Sequence, residues 1–204
     1  MKKIFITGIS TGVGKTVASA ICCEALQADY WKPVQAGDLD QSDTLTVQSL
    51  ISNSKTIIHP EAFRLKIPAA PVVAAQKEGF QIDLNQLPLP STENTLVVEG
   101  AGGLLVPINE QHTFLDFTML HQLPVIIVAR TYLGSMNHTL LTVEMLRAKN
   151  ILIAGLIFNE ENQDTEAYIA KKSGLPVLLR IPFTTSLTPE FVRQQATSLR
   201  KELL

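Results

Sequence analysis

The feature that most constrains the fold is the run FITGISTGVGKT, Phe5 to Thr16. An apolar segment of strand length, Ile4 to Thr7, enters a glycine-bearing loop that closes on Gly14-Lys15-Thr16. Val17, Ala20, Ile21 and Ala25 then follow at helical spacing. Strand, glycine loop and helix in this order form a phosphate-binding device: flexible backbone brings N–H groups to an anion, and the helix N-terminus adds partial positive charge. The usual pattern places four residues between the first glycine and Gly-Lys-Ser/Thr, whereas five, Ile9 to Val13, lie between Gly8 and Gly14 here. A plain glycine turn opening a helix accounts for the glycines but not for the Lys15-Thr16 pair just inside it.

Further apolar runs recur at Leu96 to Val98, Pro124 to Ala129, Ile151 to Phe158 and Pro176 to Leu179. Most are continuous rather than alternating, as strands covered on both faces should be. Between them lie helical patterns at Leu140, Val143 and Leu146, and at Val192, Ala196, Leu199 and Leu203. This alternation predicts an α/β fold, a parallel β-sheet flanked by helices on both faces in a Rossmann-like three-layer arrangement. The length of 204 residues predicts one domain over 1–204. The segment from Pro60 to Pro90, with prolines also at 68, 71 and 88, reads as short helices and loops that cover the site or meet a second subunit.

A composition of 46% hydrophobic and 18% charged residues with net charge −2 describes an ordinary globular chain and advertises neither nucleic-acid nor membrane binding. The apolar start is broken by Gly8, Ser10 and Lys15 before it could act as a signal or a membrane span, so a cytosolic location is expected. Cys22 and Cys23 are helical neighbours whose side chains point apart, so both are expected as small buried or half-buried residues without a disulfide or zinc. His59, His112 and His121 lack metal-ligand spacing.

A magnesium ion on bound phosphates usually recruits one or two carboxylates. Glu99, after an apolar strand and before Gly100-Ala101-Gly102-Gly103, is placed to supply one, because the carboxyl ends of parallel strands open onto one crevice. Asp43 is a second candidate. Its position equally suits a first-turn helix residue behind a cap at Ser42.

The runs GISTGVGKT, WKPVQAG, SDT, VVEGAGG, LGSMNHTLLT, IFNE and RIPF occur in the order found in dethiobiotin synthetases, which this chain resembles over residues 3 to 184. That family carries the longer loop, in a branch of P-loop NTPases that includes partition and septum-site ATPases and cobyrinic acid amide synthases. The resemblance implies a homodimeric ligase that makes dethiobiotin from 7,8-diaminopelargonate, carbon dioxide or bicarbonate, and ATP with Mg2+, through a carbamate and a carbamic-phosphoric anhydride. It implies that Gly12, Val13, Gly14, Lys15, Thr16 and Val17 bind the ATP phosphates, with Glu99, Gly100, Ala101 and Gly102 at the phosphate end. Thr16, Asp43 and Glu99 would hold the metal, and Asn159 with Pro182, Phe183 and Thr184 would frame the adenine. Lys32 and Lys15 would be catalytic and Thr11 would contact the substrate end. Leu133, Gly134, Ser135, Met136 and Asn137 would receive the substrate carboxylate across the subunit interface, on a helix N-terminus. Without the resemblance Lys32 reads as a solvated surface lysine.

Two positions depart from the family. Ala36 stands where Ser or Thr is usual, so a hydroxyl contact to substrate or carbamate is missing, and the connection from Lys32 to Asp43 is short. A switching ATPase that acts on DNA, membrane or a partner protein is the competing class. Those relatives usually carry another lysine early in the loop, and Ile9, Ser10 and Thr11 offer none. An amide synthetase of the cobyrinic type would need a glutamine-hydrolysing domain for which this length has no room. His138, beside Asn137, is expected to pack at a helix terminus rather than transfer protons.

Overall fold

The computed structural model describes residues 2–160 and 162–203, the last three by backbone alone, so the side chain of Leu203 lies outside the described residues. Nine strands and seven helices follow one another: β1 Lys3–Gly8, α1 Lys15–Leu26, β2 Asp29–Trp31, β3 Val34–Ala36, α2 Asp43–Leu50, β4 Ile58–His59, β5 Phe63–Leu65, α3 Pro71–Lys77, β6 Leu96–Gly103, α4 Phe114–Leu120, β7 Val125–Arg130, α5 Ser135–Ala148, β8 Ile153–Asn159, α6 Gln163–Ser173, β9 Val177–Ile181 and α7 Pro189–Leu203. Seven strands form one parallel sheet in the order β4-β2-β6-β1-β7-β8-β9. The helices flank it. α1 packs against α7 and α2, and α5 packs against α6.

The continuous apolar strands are buried as their pattern requires. Ile4, Phe5 and Ile6 of β1, Leu96 to Val98 of β6 and Val125 to Val128 of β7 are all within 1% of full burial. Phe5 lies among Phe114 and Phe117 of α4 at ring-centroid distances of 6.1 and 5.9 Å, and Trp31 of β2 reaches Phe117 at 6.2 Å. Cys22 and Cys23 are fully buried and unbridged in α1, as expected of small apolar side chains, and burial pushes the Cys22 thiol up to about 12. No described helix is long and apolar enough to cross a membrane.

Chain order reverses at β1, which lies between β6 and β7. This is the switch point at which open α/β sheets bind ligands beyond their strand ends. β1 and β6 are in register up to Ile6 opposite Glu99. From there β1 advances two residues to Gly8 while β6 advances four to Gly103. The surplus bulges at Gly100-Ala101-Gly102, where a Cβ on Gly100 would stand 2.7 Å from the Phe5 ring. The glycines after Glu99 thus let β6 flare at the crevice with Glu99 at its last regular register.

Short strands escape the sequence patterns. β2, β4 and the separate pair β3-β5 have two or three residues each, too few for a period to register. The proline-rich segment holds short helices and loops as expected, plus β5, which pairs with β3. The sheet edge is tied by Asp29, whose buried carboxylate accepts from Ile57 N at 2.9 Å, Asn94 Nδ2 at 2.8 Å and Thr92 Oγ1 at 2.5 Å, with His59 Nε2 at 3.3 Å.

Burial alone would raise the Asp29 pKa, but the hydrogen bonds from Asn94, Thr92, Ile57 and His59 outweigh it and hold the pKa below the usual aspartate value. The unfolded chain therefore binds the proton more tightly. The contribution of Asp29 is complete above the unfolded value of about 4 and is lost as pH falls below it. Asp29→Asn is expected to destabilise the protein by about 2 kcal/mol at pH 7. Urea unfolding across the acid range should show that difference shrinking as pH falls; a constant difference would remove Asp29 from the acid sensitivity.

Candidate functional site

The loop between β1 and α1 is wound as an anion cradle. Gly14 precedes the first helical residue with φ 94°, a left-handed conformation, and a Cβ there would meet Asn159 Nδ2 at 2.3 Å. Lys15 and Thr16 open the helix, so the unpaired N–H groups of its first turn face the same crevice as their side chains. The ammonium of Lys15 donates to the loop carbonyl of Ser10 at 3.2 Å. Burial pulls its pKa below the ordinary lysine value, with Lys32 acting in the same direction and Glu99 and Asp43 opposing. An anion delivered beside it favours the charged form.

Five side chains from four parts of the chain converge next to this loop. Thr16 Oγ1 donates to Asp43 Oδ1 at 2.5 Å and lies 3.2 Å from Glu99 Oε1. Lys32 Nζ makes a short ion pair with Asp43 Oδ2 and stands 3.3 Å from Glu99 Oε1. Tyr30 donates its hydroxyl to Glu99 Oε2 at 3.0 Å. Lys32 follows directly on β2, where Pro33 keeps it extended. It is 4% exposed, so the solvated-lysine alternative does not hold. Burial alone would lower its pKa, but Glu99 and then Asp43 outweigh it and hold the ammonium above the ordinary value. Asp43 moves the opposite way: burial would raise its carboxyl, yet Lys32 and Thr16 hold it below the usual range.

Both readings of Asp43 are realised in one residue. It is the first residue of α2 behind the Ser42 cap, whose Oγ accepts from Leu45 N at 3.3 Å. Its side chain nevertheless faces the crevice. The short connection from Lys32 makes this possible through a tight path: Gly37 and Asp38 take positive φ, 74° and 50°, and a 3-10 turn spans Leu39–Gln41. Gln35 braces it, donating to Gly37 O at 2.9 Å and receiving Asp43 N at 3.3 Å.

The oxygens of Thr16, Asp43 and Glu99 form a hard donor set linked by hydrogen bonds, and its two carboxylates already share a cation, the Lys32 ammonium. No cluster of three His, Cys, Asp or Glu exists among the described residues. Few protein carboxylates, with phosphates and waters completing the shell, suit magnesium rather than a metal held by protein alone. The residues present therefore fit such an ion.

A cavity of about 690 Å³ joins these groups, within the size range of small-molecule sites. Thr11, Gly12, Gly14 to Val17, Lys32, Ala36, Asp43, Glu99, Ala101 and Gly102 line it, together with Val34, Gln35, Asp38, Gln41, the 68–71 segment and Val106. The proline-rich segment thus covers the site. Asn159 ends β8 and donates to Val13 O at 3.1 Å, which places it against the loop itself. Pro182, Phe183 and Thr184 follow β9, beside β8, with the Phe183 ring 71% exposed. The 133–137 run is not among the residues that line this cavity: it opens α5 after β7, with Leu133 fully exposed. There His138 Nδ1 meets the Tyr132 hydroxyl at 2.8 Å at the helix start. Tyr30, Gln35 and Val106 were not identified from sequence. Only the adjacency of Tyr30 and Gln35 to Lys32 could have pointed to them.

The sequence matches the AAA domain family over residues 2–191. It is 47% identical over 201 residues to the ATP-dependent dethiobiotin synthetase of Cytophaga hutchinsonii, covering 98% of this chain and 97% of that protein. It is 45% identical over 203 residues to the enzyme of the same name from Christiangramia forsetii, covering 99% and 98%. Among solved structures, the MinC:MinD cell division protein complex of Aquifex aeolicus aligns with a TM-score of 0.62 at 15% identity, over 100% of this chain and 95% of that one. This last likeness speaks to the fold alone.

Removing the Lys32 charge leaves two carboxylates facing one another with one hydroxyl between them. Lys32→Met is expected to lower stability by about 2 kcal/mol, less than a fully enclosed pair would lose because the Asp43 side chain is 34% exposed. Chemical denaturation of Lys32→Met beside Lys32→Met/Asp43→Asn checks this: the double variant should recover part of the loss. If both unfold at the wild-type midpoint, the ion pair contributes nothing.

Proposed function

The chain belongs to the ATP-dependent dethiobiotin synthetase family, and from that premise we propose that it closes the ureido ring of dethiobiotin from 7,8-diaminopelargonate, carbon dioxide and ATP. The observation that carries this reading is a buried ammonium, Lys32, in the same cavity as the phosphate loop. A carbamate next to a γ-phosphate needs a second positive charge of this kind beside it.

The chemistry proceeds in three steps. One amine of the substrate attacks carbon dioxide and loses a proton, giving a carbamate. A carbamate oxygen takes the γ-phosphoryl group, and the bond to the β-phosphate oxygen breaks as ADP leaves. The second amine then attacks the carbonyl carbon, phosphate departs with the C–O bonding pair, and the nitrogen releases its proton as the ring closes. None of this needs a covalent enzyme nucleophile. It needs positioned charge in a site with little water.

The loop amides of Gly12 to Val17 cradle the phosphates, and Lys15 turns from Ser10 O towards the transferred phosphoryl group. Lys32 holds the carbamate against repulsion from the triphosphate. Thr16, Asp43 and Glu99 would hold a magnesium ion, which would supply positive charge against the phosphates. Thr11 meets the substrate end. At Ala36 a water or a backbone amide takes the place of the family's hydroxyl, at a cost of about 1 kcal/mol. The exposed Phe183 ring with Pro182, Thr184 and Asn159 offers a flat wall and polar edge for the adenine. Leu133, Tyr132 and Leu141 expose apolar surface around the N-terminus of α5, which supports a homodimer in which Leu133 to Asn137 receive the carboxylate of the partner's substrate. One domain carries the phosphate, carbamate and metal groups, and a cytoplasmic location suits its free cysteines.

Purified protein is expected to hydrolyse ATP appreciably only with both diaminopelargonate and bicarbonate present. Equal phosphate release without the diamine would reject the substrate. Lys15→Ala and Lys32→Ala should each reduce turnover by at least about a hundredfold while keeping native circular dichroism. Wild-type turnover in either one excludes that lysine from the mechanism.

A further inference from the structure

The two oxygens of Glu99 are held by different parts of the protein. Oε1 faces the crevice, 3.2 Å from Thr16 Oγ1 and 3.3 Å from Lys32 Nζ. Oε2 turns back into the sheet, where the Tyr30 hydroxyl donates to it at 3.0 Å, its one hydrogen bond among the described residues. The Glu99 side chain is fully enclosed, so the phenol stands in for water at that oxygen. Tyr30 is itself completely buried in the middle of β2, and the sheet sets the match: Tyr30 pairs with Val97, two residues before Glu99 on the neighbouring strand. Two residues along a strand return a side chain to the same face, so backbone register alone brings the phenol beneath the carboxylate.

We propose that Tyr30 is a positioning residue of the cation site, anchoring Oε2 of Glu99 so that Oε1 alone is presented to a divalent ion. The inference rests on the reading of Thr16, Asp43 and Glu99 as ligands of magnesium. Both carboxylates are shared with the Lys32 ammonium before the ion arrives. Without the phenol, Glu99 is free to rotate and follow the ammonium with either oxygen. With it, one oxygen stays aimed at the loop while the ammonium exchanges for the ion. Partners that orient a ligating carboxylate commonly change metal affinity by about ten- to a hundredfold.

The test is the Mg2+ dependence of ADP binding, followed by titration calorimetry, in wild type, Tyr30→Phe, Glu99→Gln and the double variant. Tyr30→Phe should raise the Mg2+ concentration for half-maximal ADP binding by about tenfold. The same substitution in the Glu99→Gln background should add no further shift. A purely structural tyrosine would shift both backgrounds equally, or neither, and either result overturns the proposal. Should Tyr30→Phe not fold, Tyr30→Met fills the same space without a donor and is expected to show the same shift. Unfolding of both makes Tyr30 a core residue only, and the proposal falls. A wild-type Mg2+ dependence in Glu99→Gln sinks the metal assignment beneath it. A shift in Glu99→Gln without one in Tyr30→Phe sinks the tyrosine alone.

Discussion

One ammonium between two carboxylates organises the site. Lys32, Asp43 and Glu99 come from the end of β2, the start of α2 and the flare of β6, and neither Lys32 nor Glu99 would be tolerated at its depth alone. An isolated buried charge costs several kcal/mol, so Lys32 and Glu99 are stable only as a pair, the half-buried Asp43 joins them, and the pairing draws three segments to one point beside the phosphate loop. Thr16 joins the loop to this cluster through its hydroxyl, and Tyr30 joins the sheet to it. The same charges that settle the fold locally are the charges a triphosphate, a carbamate and a hard cation would exchange with.

The sheet makes that convergence possible. β1 lies between β6 and β7, so the loop that leaves β1 and the carboxylate that ends the regular part of β6 open side by side. The glycine bulge after Glu99 puts surplus backbone of β6, free of large side chains, beside the loop before the strands pair again at Gly8 and Gly103. The proline-rich 68–71 segment then roofs the cavity from a different direction. Its prolines limit what it can form to short elements, and a roof of that kind needs no more.

Much of this was legible in the residue order. Strand, glycine loop and helix at Phe5 to Thr16 required only local periodicity and two glycines, and the apolar runs marked strands, of which Ile4 to Thr7, Leu96 to Val98 and Val125 to Ala129 are buried on both faces at the centre of the sheet. Asp43 shows where local reading stops. Its capping position behind Ser42 is a helix signal and its carboxylate is a site signal, and sequence alone could not say that one residue serves both. Lys32 shows the opposite limit: a lysine before a proline looks solvated until the sheet encloses it, and the resemblance to a family, not its local pattern, singled it out. Strands of two or three residues such as β2 and β4 carry no period at all, which is why Tyr30 passed unnoticed.

By itself, then, the sequence determined the elements whose information is local: the phosphate loop, the long buried strands, the amphipathic helices and the candidate groups Lys15, Thr16, Glu99 and Asp43. Only the tertiary structure decided which oxygen of Glu99 faces the crevice, that Lys32 is buried between two acids, and that Leu133 to Asn137 stay out of the cavity lining. The division has a physical cause. Helix caps, turns and periodicity act within a few residues, while the electrostatic environment of a side chain is set by neighbours that strand order and register bring from tens of residues away.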